Sequence, residues 1–306
     1  MPEYRYLDLP NAPIDDADVL ILPVPLEQTV SHKPGAGEAA YSVLEVSDQL
    51  EFYEEDADWC PTRHMKVSVL EGFDPEDHPT GDTYQKRLRE HVAALPTSNL
   101  FIAIGGEHAI TPALVRARLP EPGWILHIDA HADLRREFHG NPWSHATPIH
   151  HLLGDGHRVV QCGIRSIFEE EAKRIASDPM ITCYRDRELQ KSAIWQRLME
   201  DISGFRGPGY LTIDMDGFDP ALVPGVGTPQ PGGLSWFQGV DILEALFANP
   251  HIELRGMDVV ELARDVHQVS EMTAAKLIQK AMSFWGKAQG YDQRPETGSQ
   301  IGADYD

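Results

Sequence analysis

Short, unbroken runs of Val, Ile and Leu recur along this chain of 306 residues, separated by stretches long enough to form a helix. Strands are expected at 18–24, 66–70, 99–104, 124–128, 158–163, 181–184, 210–213 and 252–260. Several of these are apolar at every position instead of every second one, the pattern of a strand covered on both faces. Helices are expected at 81–94, 168–176, 186–202, 236–247 and 270–287. Strands joined by helical crossovers make a mostly parallel sheet with helices on both sides, an α/β/α sandwich. No Gly/Ser or Pro linker and no internal repeat divides the chain, so residues 1–288 are expected as one domain. Residues 289–306 lack apolar periodicity and are expected as a loose C-terminal tail.

Composition narrows the partners. Lys plus Arg is 26 and Asp plus Glu is 48, a formal charge of −22. Such a polyanion repels phosphate backbones, which argues against nucleic acid, while its field concentrates cations near the surface. Solubility alone also explains the acidity. No apolar run approaches the ~20 residues that span a bilayer, so no membrane partner is expected. Residues 1–18 hold one basic residue and no apolar core, unlike a secretory signal. Cys60, Cys162 and Cys183 are too scattered for a disulfide framework or a zinc-thiolate site. A reduced, cytoplasmic protein is the expectation.

Four segments concentrate side chains suited to metals, and each begins where an expected strand ends. They are Gly105-Gly106-Glu107-His108, Asp129-Ala130-His131-Ala132-Asp133, Asp214-Met215-Asp216 and Asp258-Val259-Val260-Glu261. In a parallel sheet the carboxyl ends of the strands share one edge, where ligand crevices form. In extended backbone, residues two apart project to the same side, so Asp129, His131 and Asp133 face one way, as do Asp214 and Asp216. With His108 this makes four carboxylates and two imidazoles. Gathering four buried carboxylates is costly unless cations neutralise them. Oxygen ligands with a minority of imidazoles favour manganese or a similar ion over an all-thiolate zinc site. Two such ions ~3.5–4 Å apart can hold a bridging hydroxide, a strong nucleophile at neutral pH. Taken singly, His108 reads as well as a structural histidine, and Asp129-x-His131-x-Asp133 as a loop hydrogen-bond network. Asp219-Pro220 reads as a turn. The convergence of the segments on one edge is what points to a dinuclear centre.

These motifs resemble the ureohydrolase family of arginases and agmatinases, over residues 22–281. The resemblance also rests on Pro23-Val24-Pro25, Ser144-His145-Ala146-Thr147, Gly163-Ile164-Arg165-Ser166, Gly227-Thr228-Pro229, Gly232-Gly233-Leu234 and Met257 to Glu261. It implies a three-layer α/β/α domain around a central eight-stranded parallel sheet. It implies two Mn2+ per subunit that activate water to hydrolyse a guanidino group, releasing urea and an amine. Residue by residue, it implies His108, Asp129, His131, Asp133, Asp214 and Asp216 as metal ligands. It further implies Glu261 as the carboxylate that grips the substrate guanidinium, Thr228 as a substrate-site residue and His145 as a proton shuttle, with Asp133 relaying a proton to the leaving amine. Relatives assemble as trimers or hexamers, so a homo-oligomer is expected. His139, His150 and His151 lie near His145 and compete for its role.

The flanks look more like agmatinases than arginases. Asp133 is followed by Leu134-Arg135, and the stretch from Gly227 to Leu234 fits the same branch. Agmatine, hydrolysed to putrescine and urea, is therefore the expected substrate, a small cation suited to an acidic protein. Ala263-Arg264-Asp265-Val266-His267 and Gly37-Glu38-Ala39-Ala40-Tyr41 depart from the agmatinase pattern, as does Ala109, and these loops line the far end of the pocket in the family. Guanidinobutyrate, guanidine and other guanidino acids stay open as alternatives; Arg135 or Arg264 turned into the pocket would favour an acid tail. A non-catalytic protein binding metal and polyamines is the reading from another class.

Overall fold

The computed structural model describes residues 4–74 and 81–296. Eight parallel strands form one sheet: β1 (Val19–Val24), β2 (Val67–Val69), β3 (Leu100–Gly105), β4 (Trp124–Ile128), β5 (Arg158–Ile164), β6 (Ile181–Arg185), β7 (Gly207–Asp214) and β8 (Ile252–Val260). Their order across the sheet is β2-β1-β3-β8-β7-β4-β5-β6. The expected sheet is therefore present, and the runs at 124–128 and 252–260 coincide with β4 and β8. Both faces are covered: β1 gives Val19 and Ile21 to one apolar core and Leu20, Leu22 and Val24 to the other. Helices α1 (Ala36–Val46), α7 (Ser192–Ser203), α8 (Trp236–Phe247) and α9 (Val269–Ala288) fill the first core. Helices α2 (Gly81–Ala93), α3 (Thr111–Arg118) and α4 (Pro148–Gly154) fill the second, with α5 (Glu169–Ser177) flanking it. Strands sandwiched in this way bury every side chain, which is why their sequences do not alternate.

Three differences from the sequence reading have physical causes. The helix expected at 186–202 is broken into α6 (Asp186–Leu189) and α7, because Lys191 leaves the helical region at φ −94°, ψ 121°. Strand β7 starts earlier than 210: Gly207-Pro208-Gly209 reads as a turn, yet it pairs with Ile252, Glu253 and Leu254 of β8. Glycine is required at 209 because a Cβ there would lie 2.0 Å from the Trp124 ring, which stacks on Phe205 and donates Nε1–H to Gly207 O. Helices α1, α3 and α4 were not foreseen; the last two are short, and each opens with Pro in its first turn, where its missing N–H costs nothing.

The described part of the expected tail is tied to the body. Tyr291 packs edge-on against Trp285, Arg294 donates to Asp18 at 2.8 Å, and His64 Nδ1 meets Arg294 O at 2.8 Å. Residues 291 and 294 of the expected tail thus contact the body, and residues 297–306 lie outside the described residues. Among the described residues no helix is long and apolar enough to cross a membrane.

Candidate metal centre

Strands β3, β8, β7 and β4 lie side by side in the middle of the sheet, so the four motif segments emerge together at its carboxyl edge. Gly106 belongs to this packing, since a Cβ there would sit 1.9 Å from Leu26 O. Beyond β3, His108 is fully buried, and its Nδ1 lies 3.3 Å from Asp129, 3.2 Å from Asp133 and 3.5 Å from Asp214. Beyond β4, His131 Nδ1 lies 3.0 Å from Asp216 and 3.6 Å from Asp129. Two groups of metal-compatible atoms result here, one of His108, His127, Asp129 and Asp133 and the other of Asp129, His131 and Asp216, each within 4.8 Å. Asp129 belongs to both. All six residues singled out in the sequence are brought together, Asp214 through its approach to His108.

Hydrogen bonds behind these residues decide which atoms face inward. Thr212 donates to Asp258 at 2.5 Å, so its oxygen accepts Nε2–H of His108 at 2.9 Å. That leaves Nδ1 of His108 with a lone pair aimed at three carboxylates, and it has no hydrogen-bond partner among the described residues. An imidazole nitrogen and three carboxylates gathered within 3.2–3.5 Å call for a positive charge among them, a proton on Nδ1 or a metal ion. Behind Asp129, Gln161 donates to Ala132 O at 2.8 Å and lies 3.1 Å from His127 Nδ1, so His127 gives its Nε2–H to Asp129 at 2.7 Å. Burial also pushes His127 down, keeping its ring neutral. Such outer partners fix the tautomer and direction of a ligand. The donor set fits two divalent ions with oxygen and imidazole ligands.

Electrostatics agree. Burial, with Asp129 beside it, pushes Asp133 up to about 7. Burial, then Asp216 and Asp129, pushes Asp214 well above the usual carboxylate range. Burial and Glu107 push Glu261 up to about 8. Against the cost of burial, hydrogen bonds to Asp129 and Asp216 push His131 up to about 12, and those to Asp129, Asp133 and Asp214 push His108 up as well, so the cluster favours positive charge in its midst.

A cavity of about 340 Å3 opens onto this cluster, with Asp133, Asp214, His145, Thr228 and Glu261 on its wall. Glu261 accepts His108 N–H on Oε1 at 2.6 Å. Thr228 donates to Asp216 at 3.1 Å. Asp133 and Glu261 adopt left-handed backbone, φ 52° and 62°, outside glycine's usual privilege; such strain persists where surrounding structure enforces it, often at functional sites. Burial pushes His145 down to about 4, so the ring is neutral at neutral pH. His150 and His151 sit elsewhere, against Arg174 and Pro142 O. Arg135 lines the cavity with its guanidinium 4.3 Å from the Phe168 ring and 5.3 Å from Phe138, whereas Arg264 lies on the surface against Glu38. The two stretches that depart from the agmatinase pattern meet, but residues 37–41 correct the expectation of a loop, forming the start of α1, with Glu38 3.6 Å from Arg264. Sequence reasoning missed His127, Thr212, Thr29 and Gln161, and it gave Glu107 no role of its own. Of these only His127 left a signal, an ionisable ring inside the apolar run of β4.

A sequence profile described as the arginase family matches residues 17–283. An N(1)-aminopropylagmatine ureohydrolase of Synechocystis sp. is 38% identical, the match covering 90% of this chain and 91% of that protein. An agmatinase of Bacillus anthracis is 32% identical, covering 89% and 93%. Among solved structures, an agmatine ureohydrolase of Thermoplasma volcanium superposes with a TM-score of 0.77 at 28% identity, covering 91% of this chain and 93% of that one.

Proposed function

The chain belongs to the arginase family of ureohydrolases, hydrolases of guanidino C–N bonds, and from that premise we propose that it removes urea from agmatine or from agmatine carrying an aminopropyl extension. The observation that carries this reading is the pair of metal-compatible groups sharing Asp129 directly beneath a cavity walled by Glu261. In it, His108, Asp129, His131, Asp133, Asp214 and Asp216 hold two divalent ions, manganese by preference. When bound, the ions neutralise the carboxylates and supply Lewis acidity that lowers the pKa of water at the site.

Glu261 holds the substrate. Its Oε1 is fixed by His108 N–H; the positive guanidinium favours the ionised form of a group otherwise pushed up to about 8, and the carboxylate pairs with it through two parallel hydrogen bonds. Thr228 stands on the same wall and steadies Asp216. Binding in this pose sets the central guanidinium carbon over the ligand cluster, which replaces a chance encounter by an oriented attack of water. Water adds to that carbon, and the C–N bond to the alkyl chain then breaks. The amine leaves only when protonated, and His145, neutral and on the cavity wall, carries that proton between solvent and site. Agmatine plus water gives putrescine plus urea; the extended substrate gives spermidine plus urea.

The extended substrate is the second reading, favoured by the 38% relative. The first experiment is urea release by manganese-loaded protein from agmatine, N(1)-aminopropylagmatine, arginine, guanidinobutyrate and guanidine, with the amine products identified by mass. One of the first two is expected to lead, and exhaustive chelation is expected to abolish turnover until manganese is restored. A lead by guanidinobutyrate or arginine would overturn the amine-tail reading. Arg135 supplies an independent check, because it is a cation on the cavity wall. For an amine-tailed substrate, Arg135→Ala is expected to lower KM or leave it unchanged, since a like charge leaves the pocket; the magnitude is about two- to five-fold for charges about 4–10 Å apart in a water-filled pocket. A rise in KM of tenfold or more would point to an acid tail bound by Arg135.

A further inference from the structure

His145 is held by a hydrogen-bond chain that starts on another strand's loop. Glu107 is buried, and its Oε1 accepts the backbone N–H of Gln28 at 2.7 Å and of Thr29 at 2.5 Å. Its Oε2 accepts the Thr29 hydroxyl at 2.6 Å. Thr29 Oγ1 then meets His145 twice, at Nδ1 (2.9 Å) and at the backbone N–H (3.2 Å). A hydroxyl has one proton to donate and two lone pairs to accept with. Here the proton goes to Glu107, one lone pair takes the backbone N–H of His145, and the other is left for the ring. Nδ1 must therefore carry a hydrogen, and Nε2 is the nitrogen with the free lone pair. Ser144 Oγ, at 3.5 Å from Nδ1, is too far to compete. Phe138 packs edge-on against the ring, at 5.4 Å between centroids, and limits its rotation.

We propose that Glu107 and Thr29 are positioning residues that lock His145 into the Nδ1-protonated tautomer, so that Nε2 is the atom that exchanges protons with the reacting amine. The proposal rests on the reading of His145 as the proton carrier. It is also specific to this geometry: an imidazole free in water prefers the other neutral tautomer, so the chain works against the intrinsic preference of the ring. A similar arrangement holds His108 through Thr212 and Asp258, which shows the fold using a carboxylate–threonine pair to orient an imidazole.

The test is a double-mutant cycle on the manganese-loaded protein with agmatine, using Thr29→Val, Thr29→Ser, His145→Asn and the combined Thr29→Val/His145→Asn. Loss of a general acid–base group costs on the order of 10²–10⁴-fold. Thr29→Val is expected to lower kcat about 10- to 100-fold with KM within about twofold and manganese content unchanged, Thr29→Ser to restore most of it, and Thr29→Val to cost nothing further once His145 is Asn. Thr29→Ala replaces Thr29→Val should valine disturb the loop. If His145→Asn is itself as active as the parent, the reading of His145 fails. If His145→Asn is impaired while Thr29→Val is not, or if Thr29→Val costs the same factor in the His145→Asn background, the positioning role is overturned. A readout independent of turnover is the 15N shift pair of His145 in protein loaded with diamagnetic zinc: Nδ1–H is expected in the parent and Nε2–H in Thr29→Val. The same tautomer in both would overturn the proposal.

Discussion

Asp133→Asn is expected to lower urea release at least about 1,000-fold, a loss near 4 kcal/mol of transition-state stabilisation. Asparagine has the same shape, so the buried site keeps its packing. What changes is one negative charge and one strong acceptor, 3.2 Å from His108 Nδ1 in the group that also contains Asp129. An amide nitrogen pointed at a cation repels it, and an amide oxygen binds it far less strongly than a carboxylate. Manganese content, measured by elemental analysis, should fall from two per subunit towards one, while the far-ultraviolet circular dichroism stays as in the parent. A variant that keeps two ions and near-normal turnover would remove Asp133 from the ligand set and with it the proposed centre.

Lys280→Met is expected to lower the melting temperature by roughly 5 °C. Lys280 Nζ is fully buried and meets Glu54, which is equally buried, together with Glu55 and Asp56. Removing one partner of a buried pair strands the other charge, at a cost of about 3–5 kcal/mol. Lys276, 3.7 Å from Glu54, still offers some compensation, which places the expectation near 3 kcal/mol. For a domain of this size each kcal/mol corresponds to about 1.5 °C. The combined Lys280→Met/Glu54→Leu variant should regain much of the loss, since apolar groups of similar volume replace an ion pair at little cost. A single variant melting within a degree or two of the parent would mean that Glu54 is not stranded, and a combined variant no better than the single one would locate the damage in packing. The group of Glu54, Glu55 and Asp56 thereby reads as the seat of a lysine, not of a metal.

The sheet and the ligand cluster were legible for a shared reason. Both are written in local pattern: apolar runs for buried strands, and Asp-x-His-x-Asp at the end of one of them. Position along the carboxyl edge then follows from the parallel topology, so pattern alone brings His108, Asp129, His131, Asp133, Asp214 and Asp216 together. The outer partners are of another kind. Thr29 lies 78 residues from Glu107 and 116 from His145, and Thr212 lies 46 from Asp258. A threonine in a loop or inside a strand carries no local mark of such contacts, because its role is created by packing across the sheet. The break between α6 and α7, and the strand character of Gly207-Pro208-Gly209, were hidden for the same reason: local propensity was overruled by neighbours such as Trp124.

The strand order has a consequence for how the chain reaches its folded state. Strand β8 is the last to be synthesised, yet it lies between β3 and β7. Before it inserts, the chain can form two separate half-sheets, β2-β1-β3 carrying His108 and β7-β4-β5-β6 carrying both Asp129 and Asp214. Each half then presents an open central edge, a template for pairing with another chain. Closing the gap joins segments about 150 residues apart, which raises the entropic barrier and slows folding. During synthesis the interval between completion of β7 and arrival of β8 is therefore when this protein is most exposed to aggregation, and the catalytic edge comes into being in the same step that seals the sheet.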